Sequence, residues 1–232
     1  MTVTLRGVTT VLLPGTGSDD DFVYRAFSAA LHTQGATLVT PAPQPHRLVA
    51  GYRDALDDAA RGGRIAVGGV SIGAAVATAW ALARPDRTVA VLAALPAWTG
   101  SPQHAPAAAA ARYSAELLRR DGLAVTSAAM RATSPQWLGD ELTRSWLGQW
   151  PSLPEAMEEA ANYVAPTRAE LERLAVPLGV AAAGDDPVHP IEVAVEWATA
   201  APRAALRTVT LDELGADPSV LGAACVAALL EA

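Results

Sequence analysis

Ser71 stands in the run Gly69-Val70-Ser71-Ile72-Gly73, a G-x-S-x-G pattern. Such a pattern suits a sharp strand-to-helix turn that holds one serine in a strained conformation. The flanking glycines are there because a Cβ would collide with neighbouring strand or helix atoms. The turn pushes Oγ into a cleft and aims the free N–H groups of the helix start at whatever the oxygen attacks. Glycine, serine and alanine abound in this chain, so the pentapeptide alone is weak evidence. Its context strengthens it: Arg64-Ile-Ala-Val is an apolar run of the kind that makes a buried strand, and an Ala-rich segment of helical spacing follows to Trp80.

The elements that must position this serine follow from periodicity. Val8 to Leu13 is a β-branched apolar run ending in the tight loop Pro14-Gly15-Thr16-Gly17-Ser18. Asp19, Asp20 and Asp21 open a helix to about Gln34, where acids suit the macrodipole, and Gly35 closes it. A metal site from those three aspartates is outweighed by a solvated helix start, since no further ligands lie at suitable spacing. Further strands are predicted at Ala36 to Val39, Arg87 to Leu95, Val176 to Ala183 and Ala205 to Leu211, with helices over about 47–61, after Pro190 and from Pro218 to the end. Alternating β and α with nearly continuous apolar strands predicts an α/β fold with a parallel sheet covered on both faces. From about Ala97 to Leu174 strand runs vanish and helical segments rich in Ala, Leu, Trp and Arg replace them. The domain reading is therefore a core of 1–96 and 175–232 with a helical cap over 97–174, whose tryptophans are read as packing.

Composition prunes the chemistry. All 17 basic residues are arginine, which excludes a Walker-type phosphate loop, a Schiff-base lysine and a Ser-x-x-Lys nucleophile. The formal charge of −7 argues against nucleic acid, which needs a basic face. No apolar stretch reaches the roughly 20 residues of a membrane span. Met1 to Arg6 lacks a basic start followed by a long apolar region, so no signal peptide is read. The lone Cys225, expected on the buried face of a terminal helix, allows no internal disulfide and suits a cytoplasmic location. Gly15-Thr-Gly17 has the start of a dinucleotide loop. Asp20 replaces the third glycine, however, and three acids would repel a pyrophosphate.

The serine turn, the Gly-rich loop after an earlier strand and Gly184-Asp185-Asp186-Pro187-Val188-His189-Pro190 after a later one together resemble the α/β-hydrolase superfamily. The resemblance covers nearly the whole chain and implies an open sheet with its site at the C-terminal strand ends. It makes Ser71 the nucleophile and the N–H groups of Thr16 and Ile72 the oxyanion donors. Asp186 becomes the acid, with Asp185 as runner-up or a plain turn residue. The resemblance also implies a histidine in the loop after the last strand, here Asp212 to Asp217, and no histidine follows His189. Without a base, an unperturbed serine hydroxyl is a poor nucleophile, and general-base help is worth about 10²–10⁴-fold.

Four histidines can be weighed for that role. His32 lies on the first helix, His46 follows the second strand and His104 opens the cap. His189 is the best placed, although its short separation from Asp186 argues against an ordinary relay through both. Two readings follow. One is a serine hydrolase acting on a small ester, thioester or related acyl substrate, with a displaced base and neither metal nor cofactor. The other is a hydrolase-fold protein without hydrolase activity, using the pocket for binding an apolar ligand or for a lyase, isomerase or cyclase step. Substrate identity and oligomeric state stay open.

Overall fold

A computed structural model describes residues 3–232. Met1 and Thr2, at the head of the stretch read for a signal peptide and of the expected core, lie outside the described residues. In chain order the elements are β1 (Thr9–Leu13), α1 (Asp20–Thr33), β2 (Thr37–Val39), α2 (Leu48–Ala59), β3 (Ile65–Val70), α3 (Ile72–Ala83) and β4 (Thr88–Ala94). Four helices follow: α4 (Pro106–Thr133), α5 (Gln136–Gln149), α6 (Leu153–Ala161) and α7 (Arg168–Leu171). The sheet pattern then resumes with β5 (Leu178–Ala183), α8 (Ile191–Ala200), β6 (Ala204–Val209), α9 (Leu211–Ala216) and α10 (Ser219–Glu231).

The strands form one six-stranded sheet in the order β2-β1-β3-β4-β5-β6, parallel throughout. β3 and β5 are buried at every residue, which is why both read as continuous apolar runs rather than alternating ones. One face packs on α1 and α10 through Phe22, Phe27, Leu92, Leu221 and Leu229. The other packs on α2, α3 and α8 through Tyr52, Val67, Trp80, Val91 and Trp197. Cys225 is buried there in α10, its thiol against the Gly179 carbonyl at 3.4 Å, and burial pushes its pKa up. Among the described residues, no helix is long and apolar enough to cross a membrane.

Sheet order locates the site. The chain leaves β1 to one side for β2 and then crosses to the other side for β3. The crevice at the carboxyl ends of β1 and β3 is therefore the switch point where open α/β sheets bind ligands. The loop after β1 and the serine after β3 both open onto it.

The helices between β4 and β5 build a small core of their own from Ala115, Leu118, Trp146, Leu153 and Met157. Gly122, at φ +78, interrupts α4 and lets its two halves diverge. These helices are fastened to the starts of the two helices beside the crevice. α2 has no capping side chain of its own. Instead Glu159, from α6, accepts the amides of Leu48 at 2.7 Å and Val49 at 3.2 Å. α1 is capped by Asp19, which accepts the Phe22 amide at 3.0 Å and is gripped by Arg144 of α5 at 2.7 Å. A carboxylate at a helix N-terminus meets both free donors and the positive end of the dipole.

Glu159→Ala removes a cap supplied from another element, so it should lower stability by about 0.5–2 kcal/mol. Glu158→Ala, which breaks only an exposed pair with Arg119, should cost less. Urea unfolding compares the two, and equal losses would discount the cap.

Candidate active site

The turn after β3 has the geometry its sequence predicts. Ser71 adopts φ 55 and ψ −117 between the last strand residue and the first turn of α3. Such a conformation costs a non-glycine residue on the order of 1–3 kcal/mol, and packing must hold it. The packing comes from β1. A Cβ on Gly69 would lie 2.3 Å from the Leu13 carbonyl oxygen, and one on Gly73 would lie 2.2 Å from the same atom. The elbow therefore rests directly on the backbone at the end of β1. The Ser71 amide donates to the Ala94 carbonyl at 2.9 Å, which ties the turn to β4 on its other side.

That contact brings the loop after β1 alongside the serine. A Cβ on Gly15 would sit 3.5 Å from Ser71 Cβ, so Thr16 is one residue from direct contact. The Ile72 amide is at the first position of α3, where no intrahelical acceptor exists for it. Tyr52, absent from the residues that the sequence singles out, fixes this loop. Its hydroxyl, fully buried, donates to the Pro14 carbonyl at 3.1 Å, and burial pushes its pKa up, so it stays a donor.

The turn after β5 supplies the imidazole. His189 Nε2 lies 3.0 Å from Ser71 Oγ, and Nδ1 lies 2.8 Å from Asp186 Oδ2. The three-residue separation that argues against a relay turns out to permit one. Asp186 Oδ1 accepts the amides of Val188 at 2.8 Å and His189 at 3.2 Å, curling the turn so that the ring folds back onto Oδ2. With Nδ1–H directed at the carboxylate, Nε2 is left as the acceptor facing the hydroxyl. Burial pushes the Asp186 carboxyl up, but the His189 ring and the two amides outweigh it and leave the pKa below its ordinary value.

The other candidates are elsewhere. His32, His46 and His104 are exposed, and none of them hydrogen-bonds Ser71. Asp185 turns away and accepts the Leu211 amide at 2.8 Å, joining the β5 turn to the start of α9. The loop after the last strand, read as Asp212 to Asp217, is in fact helix α9. It is begun by a capping box in which Thr210 and Glu213 bond each other's backbone. The carboxylates of Asp19 and Asp21 meet that of Glu141, with oxygens within 4.8 Å of one another. Arg25 and Arg144 pair with all three. This is a charge network between α1 and α5.

No family model matches the chain. No curated protein matches it either. Solved structures do match. A structure of carboxylesterases from the thaumarchaeon Nitrososphaera gargenis superposes with a TM-score of 0.71 at 14% identity, covering 90% of this chain and 84% of the other. The enol-lactonase from Burkholderia xenovorans LB400 gives 0.68 at 20% identity over 91% and 86%. A hydrolase from Oleispira antarctica gives 0.68 at 15% identity over 90% and 85%. The chain has the α/β-hydrolase fold.

The lowered pKa of Asp186 fixes the sign of a pH effect. Above the ordinary aspartate value of about 3.9 the carboxylate is ionised, folded or unfolded, and its bonds stabilise the fold. As pH falls through that value the unfolded chain takes up the proton first. Stability then declines until pH passes below the folded value. From about pH 5 to about pH 3, the urea midpoint of the wild type should fall more steeply than that of Asp186→Asn. Parallel curves would remove Asp186 from the account of acid stability.

Proposed function

We propose that the protein is a serine hydrolase of small ester, thioester or related acyl substrates. In this reading Ser71 is the nucleophile, His189 the base, Asp186 its orienting acid, and the Thr16 and Ile72 amides the oxyanion donors. The helical segment 97–174 serves as the cap. The observation that carries this reading is one imidazole bridging Ser71 Oγ at 3.0 Å and Asp186 Oδ2 at 2.8 Å. Similar folds in an enol-lactonase and in carboxylesterases point to the same substrate class.

The steps follow from the donors and acceptors in place. Ser71 Oγ attacks the acyl carbon while its proton passes to His189 Nε2, and the carbonyl π electrons move onto oxygen. Thr16 and Ile72 donate to that oxyanion, and fixed dipoles of this kind stabilise it without reorganising. The Asp186 carboxylate balances the imidazolium and holds the ring in its productive tautomer. Collapse of the tetrahedral adduct breaks the bond to the leaving alcohol or thiol, which takes the proton from His189. Water then attacks the acyl-serine by the same route, giving the acid and restoring Ser71. The non-hydrolytic reading rests on the lack of a histidine after the last strand, and the imidazole against Ser71 from the turn after β5 favours the hydrolytic one.

A fluorophosphonate probe should label the wild type and fail to label Ser71→Ala or His189→Ala. On an activated short-chain ester each variant should lose about 10⁴-fold or more in kcat. Hydrolysis that survives Ser71→Ala would overturn the nucleophile, and labelling that survives His189→Ala would overturn the base.

A further inference from the structure

β4 stands between the strand that leads to Ser71 and the strand that leads to His189. In the sheet order β3-β4-β5, β3 runs into Ser71 on one side and β5 runs into the Asp186–His189 turn on the other. Neighbouring strands lie about 4.8 Å apart, so β3 and β5 are about twice as far from each other. His189 Nε2 nevertheless lies 3.0 Å from Ser71 Oγ. The side chains must meet across the end of β4.

The ladder shows where β4 gives way. Its last register partners are Val70 of β3 and Ala181 of β5, both opposite Ala94. β5 runs on to Ala183, with Thr208 and Val209 of β6 beside its last two residues. The peptide joining Ala94 to Leu95 makes the closing bonds. Its carbonyl accepts the Ser71 amide at 2.9 Å, and its N–H donates to the Ala181 carbonyl at 2.7 Å.

At Leu95 the chain turns aside. Its φ is 48, in the left-handed region that costs a non-glycine residue, and Pro96 drives the residue before it towards extended backbone. The side chain records the turn. Leu92 and Ala94 belong to the core on the α1 and α10 face, and Val91 and Ala93 to the opposite core, as alternation along a strand requires. Leu95 breaks that alternation by staying with Leu92 and Ala94, only 6% exposed. Its burial holds a conformation that the backbone alone disfavours. An extended Leu95 would carry β4 further, into the space between Ser71 and the end of β5.

We infer that Leu95 is a positioning residue for the Ser71–His189 pair: its left-handed backbone ends β4 and keeps open the gap that the imidazole spans. The inference rests on the proposed acyl-hydrolase reading and adds the residue that lets the base reach the nucleophile.

The test compares Leu95→Gly with Leu95→Ala. Both remove the buried anchor. Glycine takes a positive φ freely, whereas alanine is strained there and relaxes to the extended form. On an activated short-chain ester, Leu95→Ala should lose on the order of 10²-fold in kcat with KM nearly unchanged, the low end of what general-base help supplies. Leu95→Gly should stay within a few-fold of the wild type. A second readout needs no turnover. In ¹⁵N-histidine NMR spectra, adding Ser71→Ala should move the His189 Nε2 resonance in the wild type and in Leu95→Gly, and leave it in place in Leu95→Ala. Equal kcat losses in the two variants would overturn the inference, as would the same spectral response in both. Should these variants fail to fold, a pair nearer leucine in size makes the same comparison with the same outcomes. Leu95→Asn tolerates a positive φ and Leu95→Ile resists it. Fluorophosphonate labelling of the wild type separates this from the parent reading. Labelling with no contrast between the variants keeps the hydrolase and loses the role of Leu95. The spectral contrast without labelling does the reverse.

Discussion

The close approach of β1 to the turn after β3 is the constraint on which the site depends. Gly69 and Gly73 let the elbow rest against the Leu13 carbonyl at a distance no side chain would allow. Three consequences come from that one contact. Ser71 is held at positive φ with its oxygen at the strand ends, the N-terminus of α3 is aimed past it, and the Gly15 loop is brought alongside. The contact needs β1 and β3 to be neighbours, as the strand order makes them. A sheet in which β2 lay between them would keep the pentapeptide and lose the site. Tyr52 completes the arrangement from α2, because its buried hydroxyl gives the Pro14 carbonyl a partner where the chain leaves the sheet.

Asp186 and His189 stand on one turn after β5, aligned by hydrogen bonds within it, so their relative geometry is local. Only the distance from His189 to Ser71 depends on tertiary packing. The segment after β6 carries no histidine and folds as α9. Gly215 of that helix lies so close to Trp137 of α5 that a Cβ would come within 2.3 Å of the ring. Asp185, beside the orienting acid, accepts the Leu211 amide at the start of α9. Of two adjacent aspartates, one bonds the imidazole and the other anchors the start of α9.

The middle of the sheet was legible from sequence because its strands β1, β3, β4 and β5 are buried on both faces. The runs ending at Leu13, Leu95 and Ala183 are continuous and apolar, and turn residues bound them, whereas β2, ending at Val39, is an exposed edge strand. Helix α9 was not legible as an apolar pattern. Its signal was the capping pair Thr210 and Glu213, three residues apart. His189 was legible as the best-placed histidine, but its bond to Asp186 was not. A separation of three residues does not by itself set the reach, because Asp186 Oδ1 accepts two amides ahead of it and shortens the path. The Asp-Pro-x-His spelling carried that information, since aspartate before proline favours a turn closed by its own side chain. Tyr52, Glu159 and Gln149 were invisible, because each acts on a backbone group far away in sequence.

The helical segment between β4 and β5 belongs to the same physical system as the elbow. Its contacts go to the loop after β1 and to the starts of α1 and α2, the backbone that frames the crevice. Gln149 holds the Ser18 carbonyl, Arg144 holds the cap of α1, and Glu159 is the cap of α2. Each bond satisfies a group that a helix or loop end leaves open, so these helices complete the termini of the core. Displacing them would leave the start of α2 uncapped and strip Arg144 from the Asp19 that caps α1. The loop after β1 is among the segments these helices hold, through Gln149 on the Ser18 carbonyl.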